Sequence, residues 1–317
     1  MSNSERMFPI SEWWDKEYEP EDIPRKKYSK GDKVLVIDGD ILAYKVSAAT
    51  EKRTVVVTNP KGRTKGFKTK TEFLDWCKQR EKNPDQYTIE AIQTPESIDF
   101  CLGTMKRAIE NIKKRVGATH MEIYVEGSGN FRKTLPLIDL YKDRSSSVRP
   151  IHLKACKEYM LQFKDALRVS GRECDDFFQQ RLYELSCDGI DAVGYSVDKD
   201  VFQNYQFELT IYNPDKEEIN TYPKGVGKLL ETSNGVKGYG MKWLVFQTLL
   251  FDRIDNYCMN QFYTKRYGEK SFYKDFKDLE TEKDVLQMAV DKLKKLLPEV
   301  IEYKDCFGVD QKHNWLS

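Results

Sequence analysis

The stretch Lys33-Val34-Leu35-Val36-Ile37-Asp38-Gly39-Asp40 decides the fold. Its four consecutive apolar residues, three of them β-branched, show no two-residue alternation. That is the pattern of a strand buried on both faces, as in a parallel sheet covered by helices. The run ends in Asp38, Gly39-Asp40 makes the turn, and Ile41 to Thr50 reads as a helix. Open parallel sheets gather ligands at the carboxyl ends of their strands, so an acid at that point is well placed for a site. It is equally able to cap the helix. Asp40 is the better capping candidate of the two, which leaves Asp38 freer to ligate.

The same strand-then-acid pattern recurs outward from this stretch. Met121-Glu-Ile-Tyr-Val-Glu126 ends in Glu126, and Asp191-Ala-Val-Gly-Tyr-Ser-Val197 leads into Asp198-Lys199-Asp200. Helical patterns lie between, at Ser97 to Val116, His152 to Val169 and Cys174 to Ser186. Strands alternating with helices predict an α/β fold with a central, mostly parallel sheet. Phe207 to Tyr212 and Glu217 to Tyr222 alternate around the turn Asn213-Pro-Asp. The apolar helix from Lys242 to Phe251 runs into Asp252-Arg-Ile-Asp255-Asn256, and 282–297 is amphipathic. The tail from Pro298 carries no readable pattern. Three segments are expected: an arm over 1–30, a core over 31–240, and a C-terminal helical region over 241–317.

Composition narrows the chemistry. At 39% hydrophobic and 32% charged residues, the 317-residue chain is polar-surfaced with ample core. No run approaches the roughly 20 apolar residues of a membrane span, and the start has no signal-peptide pattern, so a cytoplasmic protein is expected. Seven cysteines without a Cys-x-x-Cys pair and three histidines in unrelated contexts leave little for a zinc site or a Ser/His/Asp triad. Metal chemistry here would use oxygen ligands, which favours Mg²⁺ or Mn²⁺.

Two acidic segments fit that idea. Gly171-Arg172-Glu173-Cys174-Asp175-Asp176 and Ser196-Val197-Asp198-Lys199-Asp200 hold five carboxylates between them. Crowded acids raise one another's pKa unless they are solvated, dispersed or compensated by a cation. Ordinary helix-start chemistry also fits: Ser170 and Glu173 have capping-box spacing, with Asp175 and Asp176 in a first turn. From Glu51 to Lys70, by contrast, seven basic residues face one acid. Residues 53–70 read as a β-hairpin around Asn59-Pro60-Lys61-Gly62, with a Lys-alternating return strand. A basic surface beside an acidic metal site suits a polyanionic substrate. After Glu126 the chain turns flexible and basic, through Asn130-Phe-Arg132-Lys133 and Tyr141-Lys142-Asp143-Arg144.

Taken in order, these blocks resemble the 5′ nuclease family of flap endonucleases, polymerase 5′ nuclease domains and phage 5′ to 3′ exonucleases. Val36-Ile-Asp38-Gly-Asp40 resembles its first-strand Asp motif, and Glu126 stands where an Asp is usual. Tyr141-Lys142-Asp143-Arg144 resembles Tyr-Lys-x-x-Arg, with the Arg one residue closer. Glu173-Cys-Asp175-Asp176 resembles Glu-Ala-Asp-Asp, and Asp198-Lys199-Asp200 resembles Asp-Lys-Asp. Asp252-Arg-Ile-Asp255-Asn256, with Tyr267-Gly268-Glu269-Lys270-Ser271, resembles the helix-three-turn-helix that grips duplex DNA. Phe251 replaces its usual Gly. The match runs from about Lys33 to Val290, and the basic hairpin is an insertion.

The resemblance implies a PIN-like 5′ nuclease core, a C-terminal helix-three-turn-helix-like DNA-binding region, and a two-metal phosphodiester hydrolase using Mg²⁺ or Mn²⁺. Asp38, Glu126, Glu173, Asp175 and Asp176 would serve the first ion, and Asp198, Asp200, Asp252 and Asp255 the second. Lys142 and Arg144 would contact the scissile phosphate. Lys61, Arg63, Lys65, Lys68, Lys70, Arg132, Lys133 and Lys270 would hold backbone, and Tyr141 would stack on a displaced base. The implied partners are DNA with 5′ ends, flaps or RNA–DNA hybrids, and replication proteins, with the chain a monomer. A PIN-type ribonuclease and a non-catalytic DNA-binding accessory protein are the competing readings.

Overall fold

The structure, a computed structural model, describes residues 25–142, 148–250, 255–256 and 259–314. The expected arm at 1–30 lies outside these residues except for its last few. The chain opens with β1 (Lys33–Asp38) and α1 (Gly39–Ala49). An excursion follows, made of β2 (Glu51–Thr58), β3 (Thr64–Phe67), α2 (Lys70–Gln79) and β4 (Thr88–Pro95). The core resumes with α3 (Ile98–Val116), β5 (His120–Glu126), α4 (Leu153–Met160), β6 (Ala166–Val169), α5 (Cys174–Cys187), β7 (Asp191–Tyr195), β8 (Leu209–Asn213) and β9 (Glu218–Tyr222). Beyond it come β10 (Lys228–Thr232), β11 (Gly235–Tyr239), α6 (Met241–Leu249), α7 (Glu269–Phe276), α8 (Glu282–Leu296), β12 (Val300–Lys304) and β13 (Asp310–Asn314).

The main sheet has the order β6-β5-β1-β7-β8-β9, parallel except for β9. Its centre explains the unbroken apolar run of β1. Leu35 and Ile37 pack with α1, α3 and α4 on one face, while Val34 and Val36 pack with Phe177, Phe178 and Leu182 of α5 on the other. Because β1 is flanked by β5 on one side and β7 on the other, the strand order reverses there, and it is at the carboxyl end of such a point that open α/β sheets place a ligand site. Gly39 keeps that end tight: a Cβ on it would meet Tyr124 O at 2.5 Å. A third core gathers α6, α7 and α8 against β10 and β11. Among the described residues no helix is long and apolar enough to cross a membrane.

Several expectations are corrected. The helix expected over 152–169 stops at Met160, and Ala166 to Val169 instead pair with β5. Apolar residues continue past Met160 at spacings a helix also allows, and a four-residue strand is too short to show its own period. The cap of α1 is Asp38, whose Oδ1 accepts from the Asp40 and Ile41 N–H groups, and Asp40 is not the cap. At α5 the residue before the first turn is Glu173, whose side chain makes no capping bond, so the Ser170 capping box does not form. The hairpin β2–β3 gains a third strand, β4, paired along all of β2. The tail folds as the hairpin β12–β13, so the region after 241 is not wholly helical.

Candidate metal centre

The parallel strands bring their following acids to one edge. Asp38 closes β1 and is 4% exposed. Glu126 closes β5, Asp175 and Asp176 lie in the first turn of α5 just beyond β6, and Asp198 and Asp200 follow β7 around a 3₁₀ turn, Lys199–Gln203. Two sets of three carboxylates result: Glu173, Asp175 and Asp176, and then Asp175, Asp198 and Asp200, with ligand oxygens in each set within 4.8 Å of one another. Asp175 belongs to both. Neither set includes Asp38, Glu126 or Asp255.

Cations compensate part of this charge. Arg132 pairs through Nη1 with Glu173 and through Nη2 with Asp176 at 2.8 Å. Lys142, held at φ +49°, places Nζ 2.8 Å from Glu173 and 3.5 Å from Asp255. The Tyr141 hydroxyl lies 2.7 Å from Glu173 Oε2 and 3.1 Å from Asp255 Oδ2, and Asn130 donates to Glu173 at 3.1 Å. Burial pushes the Glu173 carboxyl up, but the Lys142 and Tyr141 hydrogen bonds and the two cations outweigh it and hold it below the usual range.

Asp38, Asp175 and Asp198 stand differently. Among the described residues no Lys or Arg pairs with Asp38, Asp175 or Asp198; Asp38 and Asp175 accept backbone N–H groups. Burial, then Asp40, Asp175 and Asp198, push Asp38 up to about 8 against the Ile41 hydrogen bond. Burial, with Glu173, Asp176 and Asp198, pushes Asp175 up to about 7. Clustered carboxylates that their surroundings do not neutralise are suited to a divalent cation, and an all-oxygen donor set suits a hard one. The residues therefore fit Mg²⁺ or Mn²⁺.

Other expected site residues are spread more widely. Glu126 is half exposed with Lys157 Nζ at 3.8 Å, and that lysine sits closer, 2.7 Å, to Asp40. Arg132 and Tyr141, expected on DNA, are folded into the acidic centre. Lys61, Arg63, Lys65, Lys68 and Lys70 are exposed on the β2–β3 hairpin and the start of α2; Lys133 and Lys270 are exposed elsewhere. Arg144 and Asp252 lie outside the described residues.

Some members of the centre have no motif of their own. Gln247 and Gln203 donate to Asp200 Oδ1 at 2.8 and 3.2 Å. Gln247 was signalled only as a lone amide inside the apolar helix α6, which Trp243 ties to Lys199 O at 3.0 Å. The loop from Leu135 to Lys142 is braced from outside. Asn256 donates to Leu140 O at 2.6 Å, Tyr303 of β12 to Pro136 O at 2.8 Å, and the Cys306 N–H to Leu137 O at 2.7 Å.

Fold and site together define an α/β protein with an oxygen-donor acidic centre at the switch point of a parallel sheet. In the solved structures, the chain is similar to bacteriophage T5 5′-exonuclease with bound zinc ions, at TM-score 0.46 and 13% identity over 82% of this chain and 85% of that one. It is also similar to the T5 flap endonuclease in complex with DNA and metal ions, at TM-score 0.45, 13% identity and the same two coverages. No family model and no curated protein matches the sequence.

Proposed function

We propose that the chain is a metal-dependent phosphodiester hydrolase acting on DNA, a 5′ to 3′ exonuclease with flap endonuclease and RNase H activity in phage-type replication or primer removal. The observation that carries this reading is the carboxylate of Asp175 common to two three-acid sets, an arrangement that suits two neighbouring cations. The motif order from Asp38 to Asp255 supports the same reading. Glu173, Asp175 and Asp176 with Asp38 and Glu126 would hold one Mg²⁺ or Mn²⁺, and Asp175, Asp198 and Asp200 with Asp252 and Asp255 the other. Bound there, such ions supply a water of lowered pKa and neutralise charge on the leaving oxygen.

The chain's own groups do the rest. Among the described residues Lys142 and Arg132 pair directly with these acids, so a scissile phosphate at this edge meets them and exchanges their Glu173 contacts for its own oxygens. Arg144 extends that set in the same reading. Tyr141 is half-buried with Arg132 and Lys142 over its ring, and in this reading it stacks on an unpaired base once those cations engage the phosphate. The 31–240 segment acts as the catalytic core, with 241–317 as the region that grips duplex through Lys270 and its neighbours. The hairpin lysines and arginines, with Lys133, hold sugar-phosphate backbone without reading sequence.

The test uses 5′-labelled flap, nicked-duplex and RNA–DNA hybrid substrates with Mg²⁺, comparing wild type with Asp176→Ala and Asp200→Ala. Cleavage is expected in wild type alone and should stop in chelator. Cleavage that persists in chelator, or in both variants, overturns the reading.

A further inference from the structure

The sheet β3-β2-β4 and α2 form a satellite around Val57, Phe67, Phe73 and Cys77. It is fixed to the body at its root: Glu51, nearly fully buried, accepts the Ile151 N–H at 2.9 Å, and Gln93 donates to Arg149 O at 2.8 Å. At the edge of the small core, Trp76 packs against Phe67, Phe73 and Tyr87. Its indole N–H is buried without an acceptor among the described residues, so contacts to the ring itself set its position.

Three cations converge on that one ring. Lys65 Nζ lies 4.8 Å from its centroid, Arg80 Cζ 5.2 Å and Lys82 Nζ 5.3 Å. They arrive from separate places: β3, the residue closing α2, and the turn beyond it. Each contact with an indole contributes about 0.5–1 kcal/mol at an exposed site. Like charges a few ångströms apart in water repel by about 1 kcal/mol per pair, which offsets much of that gain. Among the described residues the satellite's ion pair is Arg53 with Glu51, and Lys65, Arg80 and Lys82 have no carboxylate partner. Arg63, just before β3, is a further exposed cation near the hairpin tip. A rigid aromatic platform that holds unpaired cations together lowers the ordering cost of binding a chain of anions.

We infer that the backbone grip of the hairpin extends onto α2 and the turn beyond it, where Lys65, Arg80 and Lys82, gathered over Trp76, form one nucleic-acid-binding surface for the sugar-phosphate backbone of the DNA. It shares no residue with the acidic centre. The choice of DNA rests on the proposed nuclease function; the polyanion surface itself does not.

The experiment measures binding of a short labelled DNA duplex by fluorescence anisotropy, in chelator, over a salt series. Wild type is compared with the triple variant Lys65→Ala, Arg80→Ala, Lys82→Ala. A control triple, Lys106→Ala, Lys114→Ala, Lys216→Ala, removes the same charge from exposed positions elsewhere. If each of the three satellite cations neutralises a phosphate, removing them should make the slope of log affinity against log salt shallower by about 2–3, with at least about tenfold weaker binding at low salt. The control should keep the wild-type slope. An unchanged slope in the satellite variant, or an equal change in both triples, overturns the inference. All six side chains are exposed, and unchanged melting temperatures confirm folding. Because no hydrolysis occurs in chelator, a failed cleavage assay would sink the nuclease reading and leave these slopes untouched.

Discussion

At about pH 8 in chelator, Asp175→Asn should make the protein more stable, because wild-type Asp175 carries a charge that its surroundings oppose. Its carboxyl stands at about 7 against an ordinary 3.8, through burial first and then the neighbouring acids. Ionising it in the folded state therefore costs about 4 kcal/mol more than in the unfolded chain. The sign follows from a folded value above the unfolded one: the penalty is absent below about pH 4, grows as pH rises, and is complete above about pH 7. An amide in its place keeps an oxygen for the Asp176 N–H, now at 2.8 Å, and carries no charge. Neighbouring acids relax once the charge is gone, so a net gain of about 2–4 kcal/mol is expected, a rise in melting temperature of roughly 4–10 °C.

Scanning calorimetry in chelator from about pH 4 to about pH 8 reads this directly, as a gap between variant and wild type that opens with pH. Adding Mn²⁺ should narrow the gap. A ligand at a hundred times its Kd stabilises by about 2.7 kcal/mol, and the variant lacks the oxygen charge common to both acid sets. A variant that melts below wild type at high pH in chelator, or that gains as much from Mn²⁺, would refute the argument.

Three further substitutions probe other links. Glu122 accepts from Arg181 at 2.8 and 2.9 Å and from Tyr28 at 2.8 Å, in a buried network. Burial raises its carboxyl, but Arg181 and the two tyrosines outweigh that and hold it below its ordinary value. Glu122→Gln should cost about 3–5 kcal/mol in urea unfolding at neutral pH. Its folded pKa is depressed, so wild type's advantage exists above the unfolded value and should fade as pH falls below about 4; a constant gap would contradict this. Gly39→Ala drives a Cβ to 2.5 Å from Tyr124 O and 2.9 Å from Val125 Cγ2, so a loss of about 1–3 kcal/mol and weaker Mn²⁺ binding are expected; wild-type values in both would remove the close-approach argument. Tyr303→Phe deletes the hydroxyl that braces Pro136 O; about 1 kcal/mol of loop ordering corresponds to a roughly fivefold fall in kcat with KM little changed, and an unaltered kcat would detach β12 from the site.

What the sequence made legible depended on burial. β1, β5 and β7 lie inside the sheet, so their apolar runs were long and the acid after each could be placed at the carboxyl edge. The β10–β11 and β12–β13 ribbons were not visible because so few of their residues are buried, Leu229, Val236 and Ile301 among them, and two-stranded ribbons of that kind have no periodic face. Asp38 and Asp40 are both competent caps, and only the packing of α1 against β5 and α4 decides between them, by turning Asp40 toward Lys157. Arg132 read as a backbone contact because sequence shows its charge without its neighbours, whereas Glu173 and Asp176 lie within its reach in the folded chain.

That pairing bears on how the centre tolerates its own charge. Glu173, Asp176 and Asp255 share Arg132 and Lys142, so on this side the chain's own cations offset part of the charge, although burial still pushes the Asp176 carboxyl up. Asp38 and Asp175 are solvated by backbone N–H groups, which orient toward a carboxylate but cannot cancel it. With Asp38 at about 8, the metal-free centre keeps a proton there at neutral pH, which is how the chain limits the repulsion. A cation bound at this edge competes with that proton, so its affinity rises with pH through this range. The two sides thus differ in how their charge is met: Arg132 and Lys142 pair with the acids on one, and on the other Asp38 and Asp175 have backbone N–H groups alone.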